Sequence, residues 1–96
     1  MRITGYKMIL KIIMFKGKGC PDCGRMASVY NELSEEFKNT VEFEDLDISE
    51  NISVAVDYGV MSIPTLLVLS GEKELKRFSG VVSASDIRKF IKEKME

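Results

Sequence analysis

The sequence predicts an α/β domain: a four-stranded mixed sheet flanked by three helices, in the order β-α-β-α-β-β-α. Three observations carry this. An apolar run, Met8–Phe15, is followed by an amphipathic helical pattern and then by an alternating strand, the signature of a helical crossover between parallel strands. A second apolar run, Thr65–Leu69, turns through Ser70-Gly71-Glu72-Lys73 into Glu74–Phe78, which makes an antiparallel hairpin. The chain then closes on a helix whose apolar residues recur at helical spacing.

Each element has a local reason. Met8–Phe15 is rich in β-branched residues, and a nearly continuous apolar run suits a central strand covered on both faces. The loop Lys16-Gly17-Lys18-Gly19 ends it. A helix starts at Pro21, because proline at the first helical position loses an N–H that would have no partner anyway. Met26, Val29, Tyr30, Leu33 and Phe37 form its apolar stripe, and Asn39-Thr40 ends it. In the second strand, Val41–Asp47, alternation puts Val41, Phe43 and Asp45 on one face and Glu42, Glu44 and Leu46 on the other. Ile52–Tyr58 is a short helix with Gly59 as its left-handed C-terminal cap. Gly80 breaks the fourth strand. Ser83 and Asp86 resemble a capping box before the last helix, whose Ile87, Phe90 and Ile91 face inward.

Composition narrows the function. Ninety-six residues fit one domain, expected over 8–96 behind a short tail, 1–7. A net charge of −1 favours neither nucleic acid nor an anionic membrane, and neither partner is expected. The absence of histidine removes histidine-based catalysis and histidine-ligated metal sites. No apolar run approaches the roughly 20 residues that span a bilayer. Two positive charges precede the first apolar run, but that run is short, contains Lys11 and lacks a small-x-small cleavage site. A cytoplasmic monomer is the expectation.

The two cysteines, Cys20 and Cys23, are the chemical centre: Gly19-Cys20-Pro21-Asp22-Cys23-Gly24 lies at a strand-to-helix junction. Two thiols three positions apart close a disulfide with little backbone movement. Such a short loop constrains the unfolded chain little, so a purely structural bridge explains the pair poorly. The helix N-terminus favours a thiolate on Cys20. Lys18 and Arg25 add positive potential there, and Asp22 opposes it.

With Ile63-Pro64-Thr65 before the hairpin and Gly80 after the fourth strand, the chain resembles the thioredoxin superfamily over residues 8–95. Cys20 to Pro64 spans 44 residues and Pro64 to Gly80 spans 16, both similar to thioredoxin itself. The stretch Tyr58-Gly59-Val60-Met61-Ser62-Ile63-Pro64-Thr65-Leu66 is particularly similar to the thioredoxin segment through its cis-proline. The chain also departs from the pattern. Thioredoxins carry an extra strand and helix before the first strand found here. They place tryptophan where this chain has Gly19. The Cys-Pro-x-Cys order and the size look like glutaredoxin, yet the glycine pair and following acid with which glutaredoxins hold glutathione are not evident.

The resemblance implies a thiol–disulfide oxidoreductase acting on protein disulfides, with no cofactor. Cys20 is then the nucleophile and Cys23 the resolving thiol. A cis Ile63–Pro64 bond would turn the Ile63 backbone towards Cys20 for β-like pairing with substrate. Pro21 and Gly80 border the same surface; Gly80 either lets a substrate backbone approach or merely relieves a strand end. The implied electron donor is a flavin-dependent thioredoxin reductase. Thioredoxins also bury an acid six residues before the first cysteine, where this chain has Met14. Asp45, on the face of Val41 and Phe43 and expected beside Met14, is therefore a candidate relocated proton acceptor for Cys23. Three alternatives stay open at this level: a glutathione-linked glutaredoxin, a non-redox partner-binding domain, and a metal or iron–sulfur module completed by a dimer, because one chain offers two thiolates where a closed zinc site usually needs four ligands.

Overall fold

The computed structural model describes residues 9–95; the expected tail and Met8 lie outside the described residues. The elements are β1 (Leu10–Lys16), α1 (Pro21–Glu36), β2 (Val41–Asp47), α2 (Ile52–Asp57), β3 (Thr65–Ser70), β4 (Lys73–Ser79) and α3 (Ala84–Met95). The sheet order is β2-β1-β3-β4. β1 runs parallel to β2 and antiparallel to β3, and β3 and β4 form the hairpin. The expected mixed sheet and element order are both found.

β1 is a central strand, and alternation along it feeds two cores. Leu10, Ile12 and Met14 join Leu66 and Val68 of β3 under α1 and α3, which contribute Met26, Leu33, Ile87 and Ile91. Ile13 and Phe15 join Leu67, Leu69 and Ala55 on the face covered by α2. That two-sided coverage is why β1 and β3 read as continuous apolar runs. Phe37 caps α1, its amide donating to the Leu33 carbonyl, so the helix closes slightly before Asn39-Thr40. Ser83 Oγ accepts the Asp86 amide at 3.1 Å at the start of α3. Arg88 of α3 reaches Glu32 and Glu36 of α1 at 2.8 Å each, tying the two helices on the outer side of the first core.

One end of this sheet carries the chemistry. The last β1 residue paired with β3, Phe15, lies opposite Thr65, and Thr65 lies opposite Ser79 at the end of β4. The loop into α1, the segment before β3 and the exit from β4 therefore converge.

Candidate active site

Cys20 is the N-cap of α1, in extended conformation, and Pro21 is the first helical residue. Cys20 and Cys23 form a disulfide with their Cα atoms 5.2 Å apart. The Cys20 carbonyl receives the Cys23 amide at 3.0 Å and the Gly24 amide at 3.4 Å. The same Cys23 amide also donates to Cys20 Sγ at 3.1 Å. The sulfur thus takes the place of the side-chain oxygen of an ordinary N-cap. Its position at the positive end of a 16-residue helix favours negative charge on it.

The two sulfurs differ in access. Cys23 is 6% exposed, packed into the first turn of α1, whereas Cys20 is only partly buried at the rim. Asp22 and Arg25, both exposed, pair with each other across one helical turn. Asp22 therefore opposes a Cys20 thiolate less than its charge alone indicates. Lys18 is exposed in the preceding loop. It helps to hold the Asp47 carboxyl below its usual range, behind the larger effect of the Ser49 hydroxyl and amide.

Pro64 is buried at the start of β3, and the Ile63–Pro64 bond is cis. The Pro64 carbonyl accepts the Gly80 amide at 2.9 Å. Gly80 has φ +77°, and a Cβ built there meets nothing within 4 Å. Glycine is required here by backbone conformation and not by crowding. The surface above it is open, so the two readings of Gly80 are compatible. At Gly17 the reverse holds: a Cβ would lie 2.6 Å from Ile63 Cδ1, so the loop leading to Cys20 and the loop leading to Pro64 touch. Met61 is 96% exposed and Val81 49% exposed, apolar residues in the loops that carry Pro64 and Gly80.

Asp45 needs a correction. The register places it beside Met14, as expected. It is exposed, however, not buried under the disulfide, and its Oδ2 lies 2.6 Å from Lys16 Nζ. β2 is an edge strand, and its carboxyl end is left uncovered on the face that Val41 buries further back. Among the described residues neither cysteine shares a hydrogen bond with Asp45. Its nearby influence falls on Tyr30, whose hydroxyl is pushed up to about 12 by burial first, and then by the Asp45 and Glu44 carboxylates.

Several contacts gave no sequence signal. Met26 Sδ, fully buried one turn below Cys23, accepts the Val82 amide at 3.3 Å. It joins α1 to the loop after Gly80. Arg77 reaches from β4 to the carbonyls at the end of α2. Both pairings connect residues far apart in sequence, and neither residue type announces a role. Among the described residues no three His, Cys, Asp or Glu side chains come together as a metal site, and no helix is long and apolar enough to cross a membrane.

The thioredoxin family model matches residues 6–93, which includes the cysteine pair, Pro64 and Gly80. The chain belongs to the thioredoxin family. It is similar to the thioredoxin of Methanocaldococcus jannaschii, at 31% identity over 86 residues, covering 90% of this chain and 96% of that one. The thioredoxin of Buchnera aphidicola is 33% identical over 82 residues, 85% of this chain and 76% of the relative. Among solved structures, thioredoxin NaTrxh from Nicotiana alata superposes with a TM-score of 0.82 at 31% identity, over 91% of this chain and 74% of that one. Fasciola hepatica thioredoxin gives 0.81 at 30%, over 92% and 83%. With Cys20 and Cys23 in place, the activity is that of a protein thiol–disulfide oxidoreductase. The glutaredoxin alternative receives no comparable support.

Proposed function

We propose that Cys20 attacks the substrate and Cys23 resolves, in a cycle that reduces protein disulfides. The observation that carries this assignment is the asymmetry of the pair. Cys20 Sγ sits accessible at the N-cap with a backbone N–H already directed at it, while Cys23 is buried. The reduced Cys20 thiolate attacks one sulfur of a substrate disulfide. The Cys20–substrate bond forms, the substrate S–S bond breaks, and the departing thiolate takes up a proton. Cys23, deprotonated, then attacks Cys20 Sγ. The Cys20–Cys23 bond forms and the second substrate thiolate leaves and is protonated. Two electrons pass to the substrate, and the dithiol is left oxidised.

The substrate segment is proposed to lie across Ile63, with Pro21 and Gly80 at its borders and Met61 and Val81 as apolar contacts. The tethering of Pro64 to Gly80 and the openness above Gly80 support this. For the return step, a flavin-dependent thioredoxin reductase fits the family membership. A cytoplasmic setting fits a chain whose two cysteines form a redox pair and not a disulfide framework.

Insulin-disulfide reduction driven by dithiothreitol tests the assignment. Wild type accelerates it, Cys20→Ser abolishes the acceleration, and Cys23→Ser accumulates a mixed disulfide through Cys20. Mixed-disulfide trapping through Cys23 in the Cys20→Ser protein would reverse the roles.

A further inference from the structure

We infer that Arg77 is a positioning residue for the substrate-binding segment Gly59–Pro64; this rests on the proposed reading of that segment. α2 ends in a Schellman arrangement. Tyr58 is its C-cap, Gly59 takes φ +65°, the Gly59 amide donates to Val56 O at 2.9 Å, and the Val60 amide donates to Ala55 O at 2.8 Å. This motif leaves the Tyr58 and Gly59 carbonyls pointing away from the helix. Arg77 takes both: Nη2 donates to Tyr58 O, and Nη1 donates to Gly59 O at 3.1 Å. Nε and Nη2 also bond the two Glu74 oxygens at 2.8 Å each, a bidentate pair that fixes the plane of the guanidinium.

The other end of the segment is fixed by the same strand. Ser79 lies opposite Thr65, and Gly80, next in line, donates to Pro64 O at 2.9 Å. β4 therefore holds the segment at two points, Arg77 at its start and Gly80 at its end. Between them, Val60 to Ile63 carry the backbone proposed to meet substrate. Only arginine supplies both the carbonyl contacts and the carboxylate fork from one planar group; a lysine ammonium offers a single point of attachment. The cationic group also sits where the negative end of α2 favours positive charge.

The test uses Arg77→Gln and Arg77→Lys, with Glu74→Gln to loosen the guanidinium while leaving its carbonyl contacts. Two readouts are taken. The first is amide hydrogen exchange at Gly59, Val60 and Gly80, referenced to β1 amides, which report global opening. We expect Arg77→Gln to speed exchange at Gly59 and Val60 by about tenfold over any change in β1, with Arg77→Lys and Glu74→Gln falling between it and wild type. The second is insulin reduction. The KM for insulin should rise about tenfold in Arg77→Gln with kcat held within about twofold, and alkylation of Cys20 by iodoacetamide should keep its wild-type rate. Exchange that rises equally in β1 and at Gly59 and Val60 marks a merely structural arginine and overturns the proposal. An unchanged KM beside local loosening overturns it as well. If wild type fails to reduce insulin, the proposed function falls, and the exchange readout alone decides whether Arg77 positions the segment.

Discussion

Gly24 and Gly80 flank the site, and alanine at each should change stability in opposite directions. At both positions an added Cβ would have nothing within 4 Å, so neither substitution clashes. What differs is the backbone. Gly24 lies inside α1, where glycine is about 1 kcal/mol less favourable than alanine. Gly24→Ala should therefore stabilise by about 1 kcal/mol. Gly80 is held at φ +77°. A non-glycine residue in the left-handed region costs roughly 1–2 kcal/mol. Alanine recovers roughly 0.4–1 kcal/mol of that by restricting the unfolded chain. Gly80→Ala should then destabilise by a net of about 1 kcal/mol, and Gly80→Asn by less, because asparagine tolerates this region. For a domain of this size each kcal/mol moves Tm by about 4–8 °C. Thermal unfolding of the oxidised proteins should show Gly24→Ala melting higher than wild type and Gly80→Ala lower by a similar interval. A backbone shift that relieves the strain in Gly80→Ala would also lengthen the 2.9 Å bond from this amide to Pro64 O, so the KM for insulin should rise in that variant. If Gly80→Ala is as stable as wild type, or if Gly24→Ala also melts lower, backbone conformation is not what selects glycine at these positions.

Two further outcomes follow from the β2 edge. The Tyr30 hydroxyl ionises at about 12 in the folded protein, against 10.0 ordinarily. Between those values the unfolded chain releases a proton that the folded chain keeps, so stability falls as pH rises through this window. Tyr30 is only half-buried, and after discounting for solvent screening the loss is about 1 kcal/mol. Urea midpoints of the oxidised protein at pH 9 and 11.5 should show it in wild type, and Tyr30→Phe should remove that part of the decline. Asp45→Asn tests the proton-acceptor role. Asp45 is exposed, pairs with Lys16 and shares no hydrogen bond with either cysteine, so resolution of the mixed disulfide should stay within about twofold of wild type from pH 6 to 9. A slowed resolving step that recovers at high pH would restore Asp45 as the acceptor.

The elements were legible because the hydrophobic period changes cleanly from strand to helix, and because glycine and proline stand where the chain turns. The boundaries shift where backbone pairing outruns side-chain pattern. Lys16 and Ser70 extend β1 and β3 since their backbones continue the ladder, whatever their side chains. Cys20 and Cys23 stood out as two thiols at a strand-to-helix junction, whereas Pro64 and Gly80 were marked as candidates by the resemblance to thioredoxins and not by propensity or period. Asp45 marks the boundary of such reasoning. Alternation identified its face and its neighbour, but a face says nothing of depth. Depth depends on whether a helix covers that stretch of an edge strand, which is a tertiary property. Arg77 lay beyond reach for a related reason. The two carbonyls it meets lie at the end of α2, and no periodicity or propensity links β4 to them.

The arrangement of these contacts divides the work between two supports. The sulfur proposed to attack belongs to the start of α1: N-cap geometry, the Cys23 amide and the helix end all act on Cys20 from its own helix. The segment Gly59–Pro64, proposed to meet substrate, is held from the β4 side, by Arg77 at one end and by Gly80, just past the strand, at the other. Among the described residues the two supports touch through Ile63 against Gly17 and through the Val82 amide, which donates to Met26 Sδ. Packed contacts transmit displacement but little charge. A change on β4 should therefore alter how substrates dock while leaving the thiol chemistry nearly intact, and a change at Asp22 or Arg25 should do the opposite. On the proposed reading, affinity for protein disulfides would be set from the β4 side and reactivity of Cys20 from α1.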